Sequence, residues 1–384
     1  MKKYRQKKNR IKPILIVAVL LSCIWLIGCN SIIYEDIADV YENLIADDNE
    51  TPTITVPDTK PSASESKEET SEAREPVSPE TEEIEEVTEQ EEPQKTTVDL
   101  IFFMGQSNMS GTGGNAAYAP KVNEGCGYEF RAISDPTKLY PITEPFGINE
   151  NNLNAVLDVP GAKKGSLVSA FVNKYYELTG TPVVALSASA GATDTDFWMS
   201  EPVVADYTER LKRAIVWLES SDYEIRHKYV VWLQGESDAI ENTSSEQYEQ
   251  NMSNIIRPMF IEGVEKVFFI TPGRTITRKN YFQNIIDAQT KMSRESGYYA
   301  LGTTVLSGIS TEYMVDEWHY NQSVLNLVGE ECAKSVAYYT ENNKECCLYD
   351  YRNNCTFVPT GDGVVEEEVQ PLDFSQCNLR TTFD

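Results

Sequence analysis

Residues 98–112 read Val-Asp-Leu-Ile-Phe-Phe-Met-Gly-Gln-Ser-Asn-Met-Ser-Gly-Thr, and the rest of the chain is organised around this stretch. Val98 to Phe103 form an apolar run that predicts a buried strand, and the turn that follows ends it abruptly. Ser107 therefore lies where a strand ends, so its hydroxyl can stand clear of the sheet. If a helix follows, its first N–H groups favour the negative charge that develops in acyl transfer. The alternative is a simple turn or helix cap, for which Ser, Asn and Gly are also the usual residues.

Beyond this turn, strand and helix patterns alternate along the chain. The further predicted strands span residues 182–189, 229–233, 266–271 and 299–306. The predicted helices span residues 166–178, 202–218, 246–261, 281–295 and 322–339. This alternation predicts an α/β protein, namely a three-layer α/β/α sandwich with a five-stranded parallel sheet. Residues 111–165 are rich in Gly, Asn and Pro, which predicts long loops at the mouth of a site.

Polar residues follow the predicted strands at their carboxyl ends, where ligands bind in open parallel sheets. The second strand is followed by the small-residue turn at Gly191, and the third by Gln234 and Glu236. The fifth is followed by Asp316 and His319. Taken singly, these residues are also typical of a tight turn, a polar rim and a helix-capping pair. Their joint occurrence at successive strand ends favours a single site.

Only two histidines are present, and His227 precedes the third strand, at the end of the sheet away from this site. His319 is therefore the imidazole available as a base near pH 7. Asp316, three residues earlier, can hold the His319 tautomer that leaves Nε2 free to accept the Ser107 proton. The residues thus predict a serine hydrolase.

Composition excludes several other classes of function. The net charge of −27 argues against a nucleic-acid partner, because phosphate binding needs clustered Lys and Arg. No Cys-x-x-Cys pairs or Cys/His clusters occur at zinc spacing, so the sequence predicts no metal site and no cofactor.

The amino-terminal quarter of the chain predicts export and a tether. Residues 1–29 combine a basic start with an apolar run that is short for a membrane span, and they end on Leu-Ile-Gly-Cys29, which resembles the lipobox of bacterial lipoproteins. Cys29 is then lipidated, and the protein is anchored to the outer face of a bacterial membrane. An uncleaved anchor or a plain signal peptide is the alternative. Residues 30–97, mostly Glu, Ser, Thr and Pro, predict a disordered acidic tether.

The carboxyl-terminal segment 341–384 is rich in cysteine and weakly patterned, which predicts a small appendage stapled by disulfides outside the cytoplasm. The sequence leaves the pairing open. The cysteines concerned are Cys126, Cys332, Cys346, Cys347, Cys355 and Cys377.

Three blocks in residues 98–340 resemble the SGNH/GDSL hydrolase superfamily, and within it the sialate O-acetylesterase and carbohydrate acetylesterase branch. They are Gly-Gln-Ser107-Asn-Met, Trp-Leu-Gln234-Gly-Glu-Ser and Asp316-x-x-His319. The match is looser at Gly191, where the family often has paired glycines. The resemblance implies a flavodoxin-like SGNH hydrolase fold. It implies Ser107 as nucleophile, His319 as base and Asp316 as its orienter, oxyanion donors at Ser107, Gly191 and Gln234, and supporting rim residues Gln106, Asn108 and Glu236.

The expected activity is removal of O-acetyl groups from an acetylated carbohydrate through an acetyl-serine intermediate. Trp198, Trp318 and Tyr320 lie beside the motifs, where rings can stack on sugar faces, although such residues also pack in cores. A lipase or lysophospholipase on the same scaffold is one alternative. A carbohydrate-binding surface lipoprotein with an inactive site is another.

Overall fold

The computed structural model describes residues 95–383. The predicted leader 1–29 with its lipidation site Cys29, and nearly all of the predicted tether 30–97, lie outside the described residues. The first strand begins at Thr96, two residues before the predicted start of the catalytic domain.

Within residues 95–383, seven strands form one sheet. They are β1 (Thr96–Gly105), β2 (Gly127–Phe130), β3 (Leu139–Pro141), β4 (Val183–Ser189), β5 (Tyr223–Leu233), β6 (Lys266–Ile270) and β7 (Tyr299–Thr303). Their order across the sheet is β3-β2-β4-β1-β5-β6-β7, and all pairs are parallel except β2 with β3. The strand that ends at the Ser107 turn therefore lies at the centre of the sheet.

The five predicted parallel strands are confirmed, but the predicted number of strands is too small. β2 and β3 fall inside residues 111–165, which the composition predicts to be loops. These two strands have only four and three residues, and Pro141 lies at the end of β3 on the sheet edge. Segments this short carry no recognisable periodicity. They become strands because they pair with the edge of a sheet that the longer strands have already formed.

The helices of the described chain cover both faces of the sheet. They are α1 (Ser107–Ser110), α2 (Val168–Thr179), α3 (Thr195–Trp198), α4 (Glu201–Glu219), α5 (Glu236–Ile240), α6 (Ser245–Ile261), α7 (Gln283–Glu295) and α8 (Gln322–Asn342). The five long ones are those that the sequence predicts.

Alternating side chains of β1 divide the interior into two apolar cores. Leu100 and Phe102 pack into the core that also holds residues of α4, α6 and α7. Ile101 and Phe103 pack into the core on the other face, with residues of α2 and α8. Because successive side chains of a strand point to opposite faces, one fully buried strand supplies both cores. The three-layer α/β/α architecture is thus confirmed.

The carboxyl-terminal segment packs against the catalytic domain. Strands β8 (Leu348–Asp350) and β9 (Cys355–Phe357) form a small antiparallel pair. Tyr351 and Phe374 pack against the core that contains α8. The expectation of disulfide staples is wrong for this structure, because all six cysteines of the described chain have free thiols. Apolar contacts and hydrogen bonds hold the segment in place.

Among the described residues, no helix is both long and apolar enough to span a membrane.

Candidate active site

The carboxyl ends of the three central strands lie level with one another. Gly105 at the end of β1 pairs with Ser189 of β4 on one side and with Leu233 of β5 on the other. The turns that follow these strands therefore begin side by side. This register brings together the first three polar segments that the sequence predicts to form the site.

The backbone of the Ser107 turn depends on Gly105. This glycine has φ +148°, and a Cβ built on it would lie 2.0 Å from the carbonyl oxygen of Leu233. Only glycine allows β1 to turn this close to β5. Ser107 is then the first residue of α1, where a backbone N–H has no acceptor within the helix. The backbone N–H of Ser107, the predicted nucleophile, is therefore available as a hydrogen-bond donor close to its own hydroxyl.

Asp316 and His319 form the expected pair. His319 Nδ1 lies 2.8 Å from Asp316 Oδ2, and the backbone N–H groups of Trp318 and His319 each donate to Asp316 Oδ1 at 2.9 Å. Burial raises the pKa of Asp316, but the hydrogen bond from His319 and these backbone donors outweigh it, so the pKa lies below its ordinary value. An ionised carboxylate therefore faces Nδ1, and this leaves Nε2 as the basic nitrogen.

Two contacts join the Ser107 turn to the His319 loop. Asn108 donates from Nδ2 to the carbonyl oxygen of Trp318 at 3.2 Å, and its Oδ1 accepts from the Tyr320 N–H at 3.4 Å. A Cβ built on Gly113 would lie 2.3 Å from the Tyr320 carbonyl oxygen and 2.9 Å from His319 Cβ. The segment after Ser107 and the segment that carries His319 are therefore packed against each other, as predicted.

Gln106, Asn108 and Glu236 support the turn, as expected, but they are buried and do not lie at the rim. Glu236 Oε1 accepts from Asn108 Nδ2 at 2.8 Å, and Gln106 Oε1 accepts from the Ser237 N–H at 3.2 Å. Burial raises the pKa of Glu236, although the hydrogen bond from Asn108 and the charge of His319 oppose this. The three side chains fix the positions of the segments on either side of Ser107.

Gln234 has a different task from the predicted one. Its side-chain amide is wholly buried, and Nε2 donates to the carbonyl oxygen of Thr193 at 3.0 Å and to Asp238 Oδ2 at 2.5 Å. Both amide protons are thus used within the protein. The assignment of Gln234 as an oxyanion donor is not met by this arrangement, and the residue instead joins the turns after β4 and β5.

Gly191 lies beside the nucleophile, but its N–H already has an acceptor. A Cβ built on Gly191 would lie 3.6 Å from Ser107 Cβ, which confirms that the two turns meet. The Gly191 N–H donates to Asp158 Oδ1 at 3.1 Å. Ala192, which stands where the family often has a second glycine, adopts the left-handed conformation with φ +57°. The turn therefore keeps a glycine-like backbone, and Asp158 caps it.

Asp158 and Lys163 are site residues that the sequence reasoning missed. Both are buried, and Lys163 Nζ lies 3.7 Å from Asp158 Oδ2. Lys163 Nζ also donates to the carbonyl oxygen of Ser189 at 3.2 Å. Burial lowers the pKa of Lys163 to about 8, while the charge of Asp158 opposes this shift. The ion pair therefore holds the turn that contains Gly191 in place, through Asp158 at the Gly191 N–H and Lys163 at the Ser189 carbonyl oxygen.

Of the three aromatic residues predicted to stack on sugars, only Trp318 has exposed surface. Trp198 and Tyr320 are buried at 0% and 1% exposure, and they belong to the two cores. Trp318 is partly exposed, and its ring lies 6.0 Å from that of Tyr281. The guanidinium of Arg278 stacks on Tyr281 at 3.5 Å from its centroid. These three side chains form a wall next to His319.

The other histidine lies where the sequence places it. His227 of β5 pairs with Asp99 near the start of β1, and its Nδ1 lies 2.9 Å from Glu265 Oε2. It is therefore at the opposite end of the sheet from Ser107. Within residues 95–383, no group of three or more His, Cys, Asp or Glu side chains is arranged to hold a metal ion.

A family model covers nearly all of the predicted catalytic domain. The model of a family described as carbohydrate esterase, sialic acid-specific acetylesterase, matches residues 97–338. No curated protein sequence matches the chain.

Solved structures resemble the chain over about two thirds of its length. A protein from Arabidopsis thaliana is 18% identical, with a TM-score of 0.44, and the match covers 64% of this chain and 99% of that one. The esterase EstA from Pseudoalteromonas is 12% identical, with coverages of 64% and 100% and a TM-score of 0.34. A catalytic mutant of Axe2, an acetylxylan esterase from Geobacillus stearothermophilus, is 8% identical, with coverages of 62% and 94% and a TM-score of 0.35.

Proposed function

Since the chain belongs to the family of sialic acid-specific carbohydrate acetylesterases, we propose that it is an esterase that removes O-acetyl groups from carbohydrates, with Ser107 as its nucleophile. The observation that carries this proposal is the Asp316–His319 pair on a loop that Asn108, the neighbour of Ser107, ties to the nucleophile turn. A hydroxyl, an imidazole and a carboxylate in this arrangement are the requirements of nucleophilic acyl transfer.

The reaction proceeds through an acetyl-enzyme. His319 Nε2 takes the Ser107 proton as Oγ attacks the acetyl carbonyl carbon, and it then protonates the sugar oxygen as the C–O bond breaks. Water enters and attacks the carbonyl carbon of acetyl-Ser107 as His319 takes one of its protons. The bond from Ser107 Oγ to the acyl carbon then breaks, His319 returns the proton to Oγ, and acetate leaves. Asp316 keeps the imidazole oriented and stabilises the imidazolium that forms in each half of the reaction.

Oxyanion stabilisation rests mainly on the Ser107 N–H. This group is at the first position of α1, where the helix supplies no acceptor for it, so it can donate to the developing oxyanion. Gly191 becomes a second donor only when its N–H turns from Asp158 to the substrate. Gln234 contributes by holding the turns, because its own amide is used within the protein.

An acetylated sugar fits the surroundings of His319. Trp318 and Tyr281 present partly exposed rings, on which the apolar face of a sugar stacks well. These rings favour a carbohydrate as the leaving group.

We also propose that the protein is exported and anchored to a bacterial membrane through a lipid on Cys29. The support is in the sequence, where a basic start and a short apolar run precede Cys29. Incorporation of labelled fatty acid by the full chain but not by the Cys29→Ala variant is the expected result. Equal labelling of both chains would refute it.

The test of the enzymatic proposal is acetate release from a panel of acetylated polysaccharides by the full chain and by Ser107→Ala. We expect release by the full chain and a loss of at least about 10³-fold in kcat on substitution, because removing one member of a triad leaves only residual catalysis. Wild-type activity in Ser107→Ala would refute the mechanism. Activity that rises with acyl length beyond butyrate would instead favour the lipase alternative.

A further inference from the structure

The carboxyl-terminal segment lies beyond the matched family region, which ends at residue 338, yet it contacts the loop of residues 273–280 and the chain just after His319. We propose that this segment positions the catalytic base, and that Arg352 is the positioning residue through which it acts. The proposal rests on the proposed function, in which His319 is the base.

Arg352 reaches into the loop after β6. Its guanidinium donates to the carbonyl oxygens of Gly273 and Lys279, the latter at 2.5 Å, and to Asn280 Oδ1 at 2.9 Å. Arg352 is only 9% exposed, and its backbone N–H donates to Asp350 Oδ1 at 2.9 Å. One planar group thus fixes both ends of the 273–280 loop, a task for which the rigid fork of arginine is suited.

The same loop is hydrogen-bonded to the segment that carries His319. The Ile276 N–H donates to the carbonyl oxygen of Glu317 at 3.3 Å, and the Thr277 N–H donates to Glu317 Oε1 at 3.2 Å. On the other side, the Arg274 N–H donates to Tyr320 Oη at 3.0 Å. Through this loop, Arg352 is linked to Glu317, two residues before the histidine, and to Tyr320, one residue after it.

The end of the segment holds the chain just after His319. The carbonyl oxygen of Arg380 accepts from Asn321 Nδ2 at 2.8 Å and from Ser323 Oγ at 3.2 Å. Asn321 in turn caps α8, since its Oδ1 accepts from the Val324 N–H at 3.3 Å. The carboxyl-terminal segment thus acts on the chain around His319 in two ways, indirectly through the 273–280 loop and directly through the Arg380 carbonyl oxygen.

A loss of these contacts is expected to act on the rate more than on binding. Displacement of a catalytic group by about 1 Å can cost about 10²-fold in rate, because the reacting atoms leave their attack geometry. Arg352 also holds the loop that carries Arg278 of the wall, so the rates are measured on 4-nitrophenyl acetate, which has no sugar to contact that wall. On this substrate we expect Arg352→Met to lower kcat about 10- to 100-fold while KM changes by less than about threefold.

The experiment compares the full chain with Arg352→Met, Arg352→Ala and Arg352→Lys, and with Arg257→Met as a control at an exposed arginine of α6. The supporting result is the kcat loss with a nearly unchanged KM, partial recovery in Arg352→Lys, and recovery of kcat in Arg352→Ala when millimolar guanidinium is added. Unchanged kcat in folded Arg352→Met overturns the proposal. A fall in kcat and melting temperature together with a rise in KM, none of which guanidinium restores, also overturns it, because that pattern indicates a merely structural role.

The two histidines of the chain give a readout that does not depend on activity. In Arg352→Met, the imidazole ¹⁵N signals of His319 are expected to shift, while those of His227 at the far end of the sheet stay in place. If the wild type has no esterase activity, the proposed function fails, whereas unmoved His319 signals in folded Arg352→Met overturn the positioning role itself.

Discussion

Substitution of Asp316 by Asn is expected to damage the enzyme more than substitution by Ala. Asp316 Oδ1 accepts two backbone N–H groups, from Trp318 and His319, at 2.9 Å each. In the Asn variant these donors select the amide oxygen for that position, so the NH₂ group must face His319 Nδ1. Nδ1 then has to act as an acceptor, which places the proton on Nε2. An Nε2–H cannot take the Ser107 proton.

The magnitude follows from the exposure of this carboxylate. In a buried triad, the same change costs about 10⁴-fold in kcat. The Asp316 side chain is 50% exposed, so water already screens its charge. The carboxylate therefore stabilises the His319 imidazolium less than a buried one does, and its loss lowers kcat by a smaller factor. We expect about 10³-fold for Asp316→Asn. In Asp316→Ala, water can replace Oδ2 with either tautomer allowed, and we expect about 10- to 100-fold.

The assay is kcat/KM on 4-nitrophenyl acetate across pH 6 to 9, with Glu312→Gln as a matched control at an exposed carboxylate before the same loop. A gap of at least tenfold between the Asn and Ala variants corresponds to about 1.4 kcal/mol in activation free energy. Equal or higher activity in Asp316→Asn would show that the two backbone donors do not control the His319 tautomer.

Two further predictions concern the buried polar groups behind the site. Lys163 has a lower pKa in the folded protein, about 8, than its ordinary value of 10.5, so between these pH values the unfolded chain binds the proton that the folded chain has lost. Urea unfolding is expected to show the free energy of unfolding of the wild type rising with pH relative to Lys163→Met, by at most about 1.4 kcal/mol per pH unit; a falling difference would contradict this. Gln234→Ala leaves Asp238 and the Thr193 carbonyl without their donor and is expected to lower the free energy of unfolding by about 1–3 kcal/mol, measured by urea unfolding. A large kcat loss at unchanged stability would return Gln234 to the oxyanion hole.

The sequence predicts the fold well because the central strands and long helices carry their own periodicity. β1 is apolar on both faces, so it has to lie inside the sheet, and the αL glycine Gly180 ends α2 where the pattern places it. Ser107, Asp316 and His319 were predictable for a related reason. Ser107 lies in a short motif directly after β1, and Asp316 and His319 lie three residues apart in a second short motif, so each motif is local in the sequence.

The residues that the sequence missed depend on partners far along the chain. Asp158 meets Gly191, and Arg352 meets Gly273, across separations of 33 and 79 residues. Both lie in segments of weak pattern, where an acidic or basic residue is normally solvated and no local signal marks it as buried. Gln234 was misassigned for the same reason, since its motif shows an amide at the strand end but not the Thr193 carbonyl that uses it.

The position of Asp158 determines what electrostatic field the reaction meets. A carboxylate bonded to the Gly191 N–H lies near the turn that carries Ser107, so its charge opposes the negative charge that develops there. Lys163 Nζ, 3.7 Å from the other carboxylate oxygen, carries the opposite charge and reduces this repulsion. The oxyanion therefore faces an ion pair and not a bare carboxylate. Loss of the Lys163 charge at high pH would expose the reaction to Asp158 alone, because nothing else described near that carboxylate is cationic within salt-bridge distance.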